Sequence, residues 1–198
     1  MKRFSVFLTV AALSAGLCLP AQAALEIGDK APAFALPSVD GRQVSLDGFS
    51  AEKAVVLVFT CNSCPYAQAY QDRIVALQRD YAPRGVQVVA INSNDASKVP
   101  QDSFQNMKLR AAEKSFNFPY LYDESQEVAR AYGAERTPHI FVFGEDRTLK
   151  YTGKIDDNWE NAGAVKVNYL RQALDDLLEG KAIPEPKTFA IGCTIKWK

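Results

Sequence analysis

The sequence predicts an α/β protein with a central mixed β-sheet flanked by helices, an N-terminal β-hairpin and an extended C-terminal tail. Residues 55–59 and 86–91 are runs of apolar, mostly β-branched residues, the pattern of strands covered on both faces. The segment between them has helical periodicity, which makes a β-α-β unit with a right-handed crossover. A third apolar segment, 137–143, is followed by a turn and a shorter extended segment, which predicts an antiparallel hairpin.

The elements follow in order along the chain. An Asp-Gly pair at Asp40-Gly41 marks the turn of the first hairpin. The first helix should begin at Cys61 and end near Tyr81, ahead of Pro83, and it places Ala67, Tyr70, Ile74 and Leu77 on one face. The remaining predicted elements are the hairpin over 39–46, a helix over 100–116, an extended piece at 120–122, a short helix over 126–132 closed by Gly133, strands at 137–143 and 148–151, and a helix over 167–178 capped by Gly180.

The N-terminus has the pattern of a secretory signal peptide. Lys2 and Arg3 precede an apolar run over 4–19, and Ala21-Gln22-Ala23 is a small-x-small cleavage site. The run is too short for a confident membrane span, so no integral membrane segment is expected after cleavage. The predicted organisation is a signal peptide over 1–23, one domain over 24–182, and a tail over 183–198 that carries Cys193.

Charge and cysteine content narrow the class of function. The formal net charge of 0 falls to −2 when the two signal-peptide cations are removed, so no basic surface for nucleic acid is expected. Export in a Gram-negative cell leads to the periplasm, an oxidising compartment where disulfides persist. The mature chain keeps Cys61, Cys64 and Cys193, and an odd number cannot all pair internally.

Cys61-Asn62-Ser63-Cys64 has the position of a redox centre. It follows a predicted buried strand and opens a predicted helix, whose free N–H groups and dipole would stabilise a Cys61 thiolate. Cys61 would attack a substrate disulfide, and Cys64, one helical turn later, would resolve the mixed disulfide. Structural zinc would need a second ligand pair, and an inert disulfide across so short a loop would stabilise little. Both remain weaker alternatives.

This strand–Cys-x-x-Cys–helix arrangement resembles the thioredoxin superfamily, and Thr137-Pro138 strengthens the resemblance. The resemblance implies a thioredoxin fold, a cis Pro138 that faces the dithiol, and substrate binding along the Thr137 backbone. More narrowly, the chain is similar to redoxins of the peroxiredoxin-like branch, which carry the alkyl hydroperoxide reductase/thiol-specific antioxidant domain. The segments that carry this similarity are FTCNSCPYAQAYQDRI, FPYLYDESQEVARAYGAERTPHIFVF, KIDDNW and the terminal IGCTIKWK.

Two departures from that branch bear on activity. Members often have His where this chain has Ser63, and the imidazole is one means of stabilising the thiolate. The peroxiredoxin element Pro-x-x-x-Thr-x-x-Cys is also absent, because Val56 and Ser63 occupy its first and last positions around Thr60. A thiol-dependent peroxidase is therefore the second choice, after an exported thiol–disulfide oxidoreductase.

Four further residues are candidates for the site. Cys193 is either an apolar tail residue or, if the tail folds back, a third redox thiol. His139, Glu135 and Arg136 border the Thr-Pro step and could tune the thiols, although the strand before the cysteines offers no buried acid.

The expected partners are protein thiols or disulfides and an upstream redox partner, with a Cys61–Cys64 disulfide and no required cofactor. The alternative from a different class is a Cu(I)-binding module. It would use Cys61, Cys64 and Cys193 as soft ligands, perhaps with Met107.

Overall fold

The computed structural model describes residues 24–198, and the predicted signal peptide lies outside the described residues. Four helices and nine strands are found in this part of the chain. In chain order they are β1 (Ala35–Pro37), β2 (Gln43–Ser45), β3 (Ala54–Phe59), α1 (Pro65–Tyr81), β4 (Val86–Asn92), α2 (Phe104–Glu113), β5 (Tyr120–Tyr122), α3 (Glu127–Tyr132), β6 (Arg136–Thr137), β7 (His139–Gly144), β8 (Leu149–Gly153), α4 (Tyr169–Leu178) and β9 (Cys193–Thr194).

The central sheet is mixed, as predicted, with the strand order β5-β4-β3-β7-β8. Strands β3, β4 and β5 run parallel, while β7 and β8 are antiparallel to their neighbours. Phe59, the last residue of β3, lies opposite Ile91 of β4 and His139, the first residue of β7. The loops that follow β3 and β4 and the chain that enters β7 therefore meet at one edge of the sheet.

The alternation of side chains along β3 builds a hydrophobic core on each face of the sheet. Val56 and Val58 pack with α1, α4 and Met107 on one face. Val55 and Leu57 pack on the other face with the N-terminal hairpin, α3 and Ile195 of the tail. The face predicted for α1 is buried as expected, because Ala67, Tyr70, Ile74 and Leu77 are each at most 3% exposed.

Several boundaries differ from the sequence prediction. Helix α1 begins at Pro65, four residues after the predicted start, with Cys64 as its N-cap. The strand predicted over 137–143 is divided at Pro138, because a proline has no N–H to donate to a sheet ladder. The helix predicted over 100–116 is a short 3-10 turn, Pro100–Asp102, followed by α2. The first hairpin pairs β1 with β2 and begins before residue 39.

The tail returns to the domain and does not simply run along its surface. Strand β9 pairs antiparallel with β6, which places Thr137 opposite Cys193. Ile195 is only 3% exposed and belongs to the core on the α3 face. Its burial ties the C-terminal segment to the same sheet edge as the two other cysteines.

Among the described helices, none combines the length and the apolar character needed to cross a bilayer.

Candidate active site

Cys61 and Cys64 lie at the junction of β3 and α1. Both side chains are almost inaccessible, with 1% and 3% exposure, and they form a small apolar cluster with Ala67. Cys64 is the N-cap of α1, and Pro65 occupies the first helical turn. Proline is tolerated there because N–H groups in the first turn have no intrahelical acceptor. The helix terminus is therefore adjacent to Cys64, three residues beyond the position that the sequence suggested.

The Thr137-Pro138 peptide bond is cis, which confirms the expectation from the resemblance. Thr137 is 1% exposed and contacts both cysteines. Its hydroxyl lies 3.3 Å from the Cys61 sulfur, and its carbonyl oxygen lies 3.1 Å from the Cys64 sulfur. Thr137 thus offers Cys61 a hydroxyl that can donate or accept a hydrogen bond, and it offers Cys64 a carbonyl oxygen that can only accept one.

Cys193 joins these two residues as a third thiol. The Sγ atoms of Cys64 and Cys193 lie 2.7 Å apart, compared with about 2.05 Å in a disulfide. Cys193 is the most exposed of the three cysteines, being half-buried at the rim of the site. The sequence analysis offered Cys193 as a third redox thiol if the tail folds back. The tail does fold back, and the Cys193 sulfur contacts that of Cys64.

The site stabilises a thiolate on Cys64. The pKa of Cys64 is lowered first by the Cys61 thiol, and then by the Cys193 thiol and by the backbone N–H groups of Ala67 and Cys193. Burial opposes this shift. A Cys64 thiol could donate to the Thr137 carbonyl oxygen at 3.1 Å or to the Cys193 sulfur at 2.7 Å. The four groups that favour the anion set the direction of the shift, so the pKa of Cys64 is lowered.

The other two thiols are held in the protonated form. The pKa of Cys61 is raised because it donates to Cys64, because it is buried, and because the Asp102 carboxylate is nearby. Burial, followed by the proximity of Cys64, raises the pKa of Cys193. The Thr137 hydroxyl and the Cys64 backbone N–H act in the opposite direction and lower the pKa of Cys61. Because Cys64 is the N-cap of α1, one N–H group of the helix terminus does reach Cys61, and the Cys61 thiolate stays a prediction.

Asp102 is a site residue that the sequence reasoning missed. Its side chain is fully buried and accepts four hydrogen bonds. Three come from the loop between Cys61 and Cys64, and one comes from the loop after β4. The donors are Asn62 N at 2.6 Å, Ser63 N at 3.2 Å, Ser63 Oγ at 2.7 Å and Asn94 Nδ2 at 2.8 Å. Asp102 thus fixes the backbone between Cys61 and Cys64, and its charge acts on Cys61.

The signal that would have found Asp102 is topological. The carboxyl ends of parallel neighbours such as β3 and β4 meet at one edge, so the loops that follow them are adjacent. The loop after β4 has a polar sequence, yet Ser93, Asn94 and Asp95 are each at most 7% exposed. Polar residues in a loop that follows a buried parallel strand are therefore candidates for the adjoining site.

Glu135 and Arg136 lie beside the thiols and hold the tail. The Glu135 carbonyl oxygen accepts from Ile195 N at 2.9 Å, and Arg136 donates to the Gly192 carbonyl oxygen at 3.1 Å. Their contacts position the segment that carries Cys193.

His139 faces a different environment. Its ring lies 4.4 Å from that of Phe141, and its Nε2 atom lies 3.2 Å from Thr152 Oγ1. Burial, and secondarily Arg136, lowers the pKa of His139 to about 4. With Glu135, Arg136 and the tail residue Phe189 it lines a cavity of about 180 Å³.

No group of three metal-ligating side chains within residues 24–198 is arranged to hold a metal ion. Met107, suggested as an additional copper ligand, is fully buried in the core on the opposite side from the α3 face and does not belong to the thiol cluster. The structure thus provides no support for the Cu(I) alternative.

Curated relatives of this chain carry the names of redox proteins. A Mycobacterium tuberculosis protein whose name places it among the peroxiredoxins is 32% identical over 135 residues, which cover 66% of this chain and 78% of the relative. The thiol-disulfide oxidoreductase ResA of Bacillus thuringiensis is 25% identical over 125 residues, covering 62% of this chain and 66% of the relative. The two names represent the two activities considered above.

Solved structures agree on the fold and on the full extent of the similarity. An uncharacterized conserved protein from Geobacillus kaustophilus has a TM-score of 0.82 and 47% identity, covering 87% of this chain and 93% of that one. A hypothetical protein from Sinorhizobium meliloti has a TM-score of 0.84 and 36% identity, covering 89% and 97%.

The thioredoxin-like neighbours include a protein from Chlorobium tepidum described as a DsbE-type thiol:disulfide interchange protein. It has a TM-score of 0.62 and 26% identity, and the match covers 78% of this chain and 99% of that one. The family model described as AhpC/TSA matches residues 27–152, which is well over half of the chain and includes both Cys61 and Cys64. The chain therefore belongs to the AhpC/TSA family of redoxins, with a thioredoxin-like fold.

Proposed function

We propose that this redoxin is an exported thiol–disulfide oxidoreductase that exchanges disulfides with protein substrates through Cys61 and Cys64. The observation that carries the proposal is the contact of both thiols with Thr137 beside the cis Pro138 bond. ResA and the interchange protein of Chlorobium tepidum are relatives with this type of name. Removal of residues 1–23 and a periplasmic address are part of the proposal.

The directions of the two pKa shifts support a proposed division of roles in which Cys64 attacks and Cys61 resolves, the reverse of the order expected from the sequence. Cys64 carries the thiolate and attacks one sulfur of a substrate disulfide, forming a mixed disulfide and releasing the other substrate sulfur as a thiol. Cys61, held as a thiol against Cys64, then loses its proton and attacks the Cys64 sulfur. The second substrate sulfur leaves and takes up a proton. The substrate gains two electrons, and the protein retains a Cys61–Cys64 disulfide.

A second dithiol partner must complete the cycle, because the disulfide has to be reduced before another turnover. The same steps run in reverse if the partner is more oxidising than the substrate. About 30 mV between two such couples corresponds to about 1.4 kcal/mol, so small differences in reduction potential decide the direction. The proposal therefore includes an upstream redox partner of the dithiol or disulfide class.

Turnover of a disulfide-bonded peptide tests the proposal. With dithiothreitol as reductant, the mature protein should accelerate reduction of the peptide, and Cys64→Ser should abolish that acceleration. The surface variant Asp72→Asn, whose side chain is 82% exposed, should leave the rate unchanged. Full activity in Cys64→Ser would refute the proposed chemistry, since the stabilised thiolate would then have no part in it.

A thiol-dependent peroxidase is the second candidate. It is favoured by the peroxiredoxin relative and by the stabilised Cys64 thiolate, because a thiolate is the form that attacks a hydroperoxide. Against it stands the missing peroxiredoxin element, with Val56 and Ser63 at its first and last positions. Consumption of hydroperoxide that depends on Cys64, without acceleration of peptide-disulfide reduction, would establish the peroxidase and overturn the first proposal.

A further inference from the structure

The tail occupies the position at which the family resemblance expects a substrate chain. In the described residues, β9 pairs antiparallel with β6, and the partner of Thr137 in this pairing is Cys193. A substrate strand bound along Thr137 would need the same backbone edge. The protein therefore presents its own cysteine to the dithiol in the way that a bound substrate would present one.

The close approach of this segment depends on Gly192. A Cβ atom added there would lie 2.1 Å from the Thr137 carbonyl oxygen and 3.0 Å from Pro138 N. Those contacts are with backbone atoms, so no side-chain rotation can relieve them. Only glycine allows the tail to lie directly against the Thr137-Pro138 step, and this contact sets the place of Cys193.

The residues that follow Cys193 fasten the tail to the domain. Ile195 is buried in the α3-face core. Lys196 donates its N–H to Asn94 Oδ1 at 2.9 Å, and its carbonyl oxygen accepts from Asp95 N at 2.8 Å and from Gln126 Nε2 at 2.8 Å. The tail is therefore an integral part of the site, and Cys193 stays beside Cys64 without any covalent link.

We propose that Cys193 is the third redox thiol of this site, and that Cys64 is the shared sulfur of two alternative disulfides, Cys61–Cys64 and Cys64–Cys193. The inference rests on the proposed function as the source of the first disulfide. Its geometric basis is the 2.7 Å separation of the Cys64 and Cys193 sulfur atoms together with the β6–β9 pairing.

The exchange between the two disulfides balances without an added oxidant or reductant. The Cys193 thiol loses its proton, and its sulfur attacks the Cys64 sulfur of the Cys61–Cys64 disulfide. The Cys64–Cys193 bond forms as the Cys61–Cys64 bond breaks, and Cys61 leaves with the electron pair and takes up a proton. The protein has one disulfide before and after the step, so its oxidation state does not change.

The exchange transfers the disulfide from the two buried cysteines to a pair that includes the more exposed Cys193. Cys61 is 1% exposed and Cys64 is 3% exposed, whereas Cys193 is half-buried. A Cys64–Cys193 disulfide presents its most accessible sulfur to an external dithiol, and it also ties β9 over the Thr137 edge. The partner expected for this state is a thiol or dithiol that attacks at Cys193. The disulfide makes covalent the hold of β9 on the Thr137 edge, which β9 already occupies when the three thiols are free.

Disulfide mapping of the mature protein in glutathione redox buffers tests the inference. After acid quenching and alkylation, trypsin releases Cys61 and Cys64 on the fragment 54–73 and Cys193 on the fragment 188–196. The Cys61→Ser variant should yield these two fragments joined by a disulfide. The Cys193→Ser variant should form Cys61–Cys64 within one fragment, and Cys64→Ser should form neither linkage. The wild-type chain should show the joined fragments as oxidation proceeds, a measurement that does not depend on any variant.

Two results would overturn the inference. In the first, Cys61→Ser keeps both thiols free at the glutathione ratios that oxidise Cys193→Ser, and the wild type yields no joined fragments. In the second, Cys64→Ser joins Cys61 to Cys193 as readily as Cys61→Ser joins Cys64 to Cys193. The activity of Cys193→Ser in peptide-disulfide reduction separates the two proposals. If this variant is active and the wild type yields no joined fragments, Cys193 is not a redox thiol and the proposed function stands.

Discussion

Replacing Asp102 with Asn tests the claim that a buried carboxylate holds the dithiol loop. The side chain is fully buried and accepts from four donors, two of them backbone N–H groups at Asn62 and Ser63. An amide keeps an acceptor for those two N–H groups, but each bond loses its charge-assisted part, about 1 kcal/mol apiece. The amide NH₂ would face Asn94 Nδ2, leaving a buried donor without an acceptor at about 1–3 kcal/mol. The free energy of unfolding should therefore fall by about 3–5 kcal/mol.

Urea unfolding of the reduced wild type and the variant, followed by circular dichroism, measures this change. Asp72→Asn is the matched control, because its carboxylate is 82% exposed and lies 3.8 Å from Lys114. A surface pair of this kind should contribute less than about 1 kcal/mol. Loss of the Asp102 charge should also lower the pKa of Cys61, because that charge raises it. A loss of stability no larger than that of the control would refute the assignment of Asp102 as the residue that fixes the loop.

Three further predictions follow from the same contacts. An ultraviolet pH titration of the reduced wild type should show one thiolate below the ordinary cysteine range. Cys64→Ser should lose it and Cys61→Ala, which removes the donor at position 61, should move it to higher pH, whereas a wild type without it would contradict a lowered pKa of Cys64. The pKa of His139 is about 4, below the ordinary 6.5, so the unfolded chain binds a proton that the folded chain does not. The free energy of unfolding should therefore fall by roughly 2–3 kcal/mol as the pH drops from above 6.5 to 4, because the contribution of neutral His139 is lost. Urea midpoints should show this loss reduced in His139→Gln, and an equal loss in both proteins would exclude His139 as its source. Ile195→Ala removes a core side chain that is 3% exposed and should cost about 2–4 kcal/mol. It should also speed alkylation of Cys193, and an unchanged alkylation rate would show that Ile195 does not hold β9 in place.

Local patterns were sufficient for most of the fold. Apolar runs predicted β3 and β4, and the i, i+3, i+7 spacing predicted the buried face of α1, because the exposure of a side chain in a regular element follows its period. Gly133 ends α3 in the left-handed conformation that the sequence suggested. The predicted start of α1 was four residues early because it followed the first cysteine of the Cys-x-x-Cys pattern. Pro65 was the local signal for the true start, since proline favours the first helical turn.

The sequence by itself determined that this chain forms an α/β sheet and that two cysteines lie between a strand and a helix, because both follow from residues that are near one another in the chain. The family resemblance implied that a Thr-Pro step belongs beside these cysteines. Only the tertiary structure decided that Cys193 lies against Cys64, 129 positions away, that Asp102 holds the loop between the cysteines, and that the pKa of Cys64 is lowered while that of Cys61 is raised. The physical reason is that the ionisation of a buried thiol depends on donors and charges around it in space, and here these come from α1, the loop before α2, β6 and the tail.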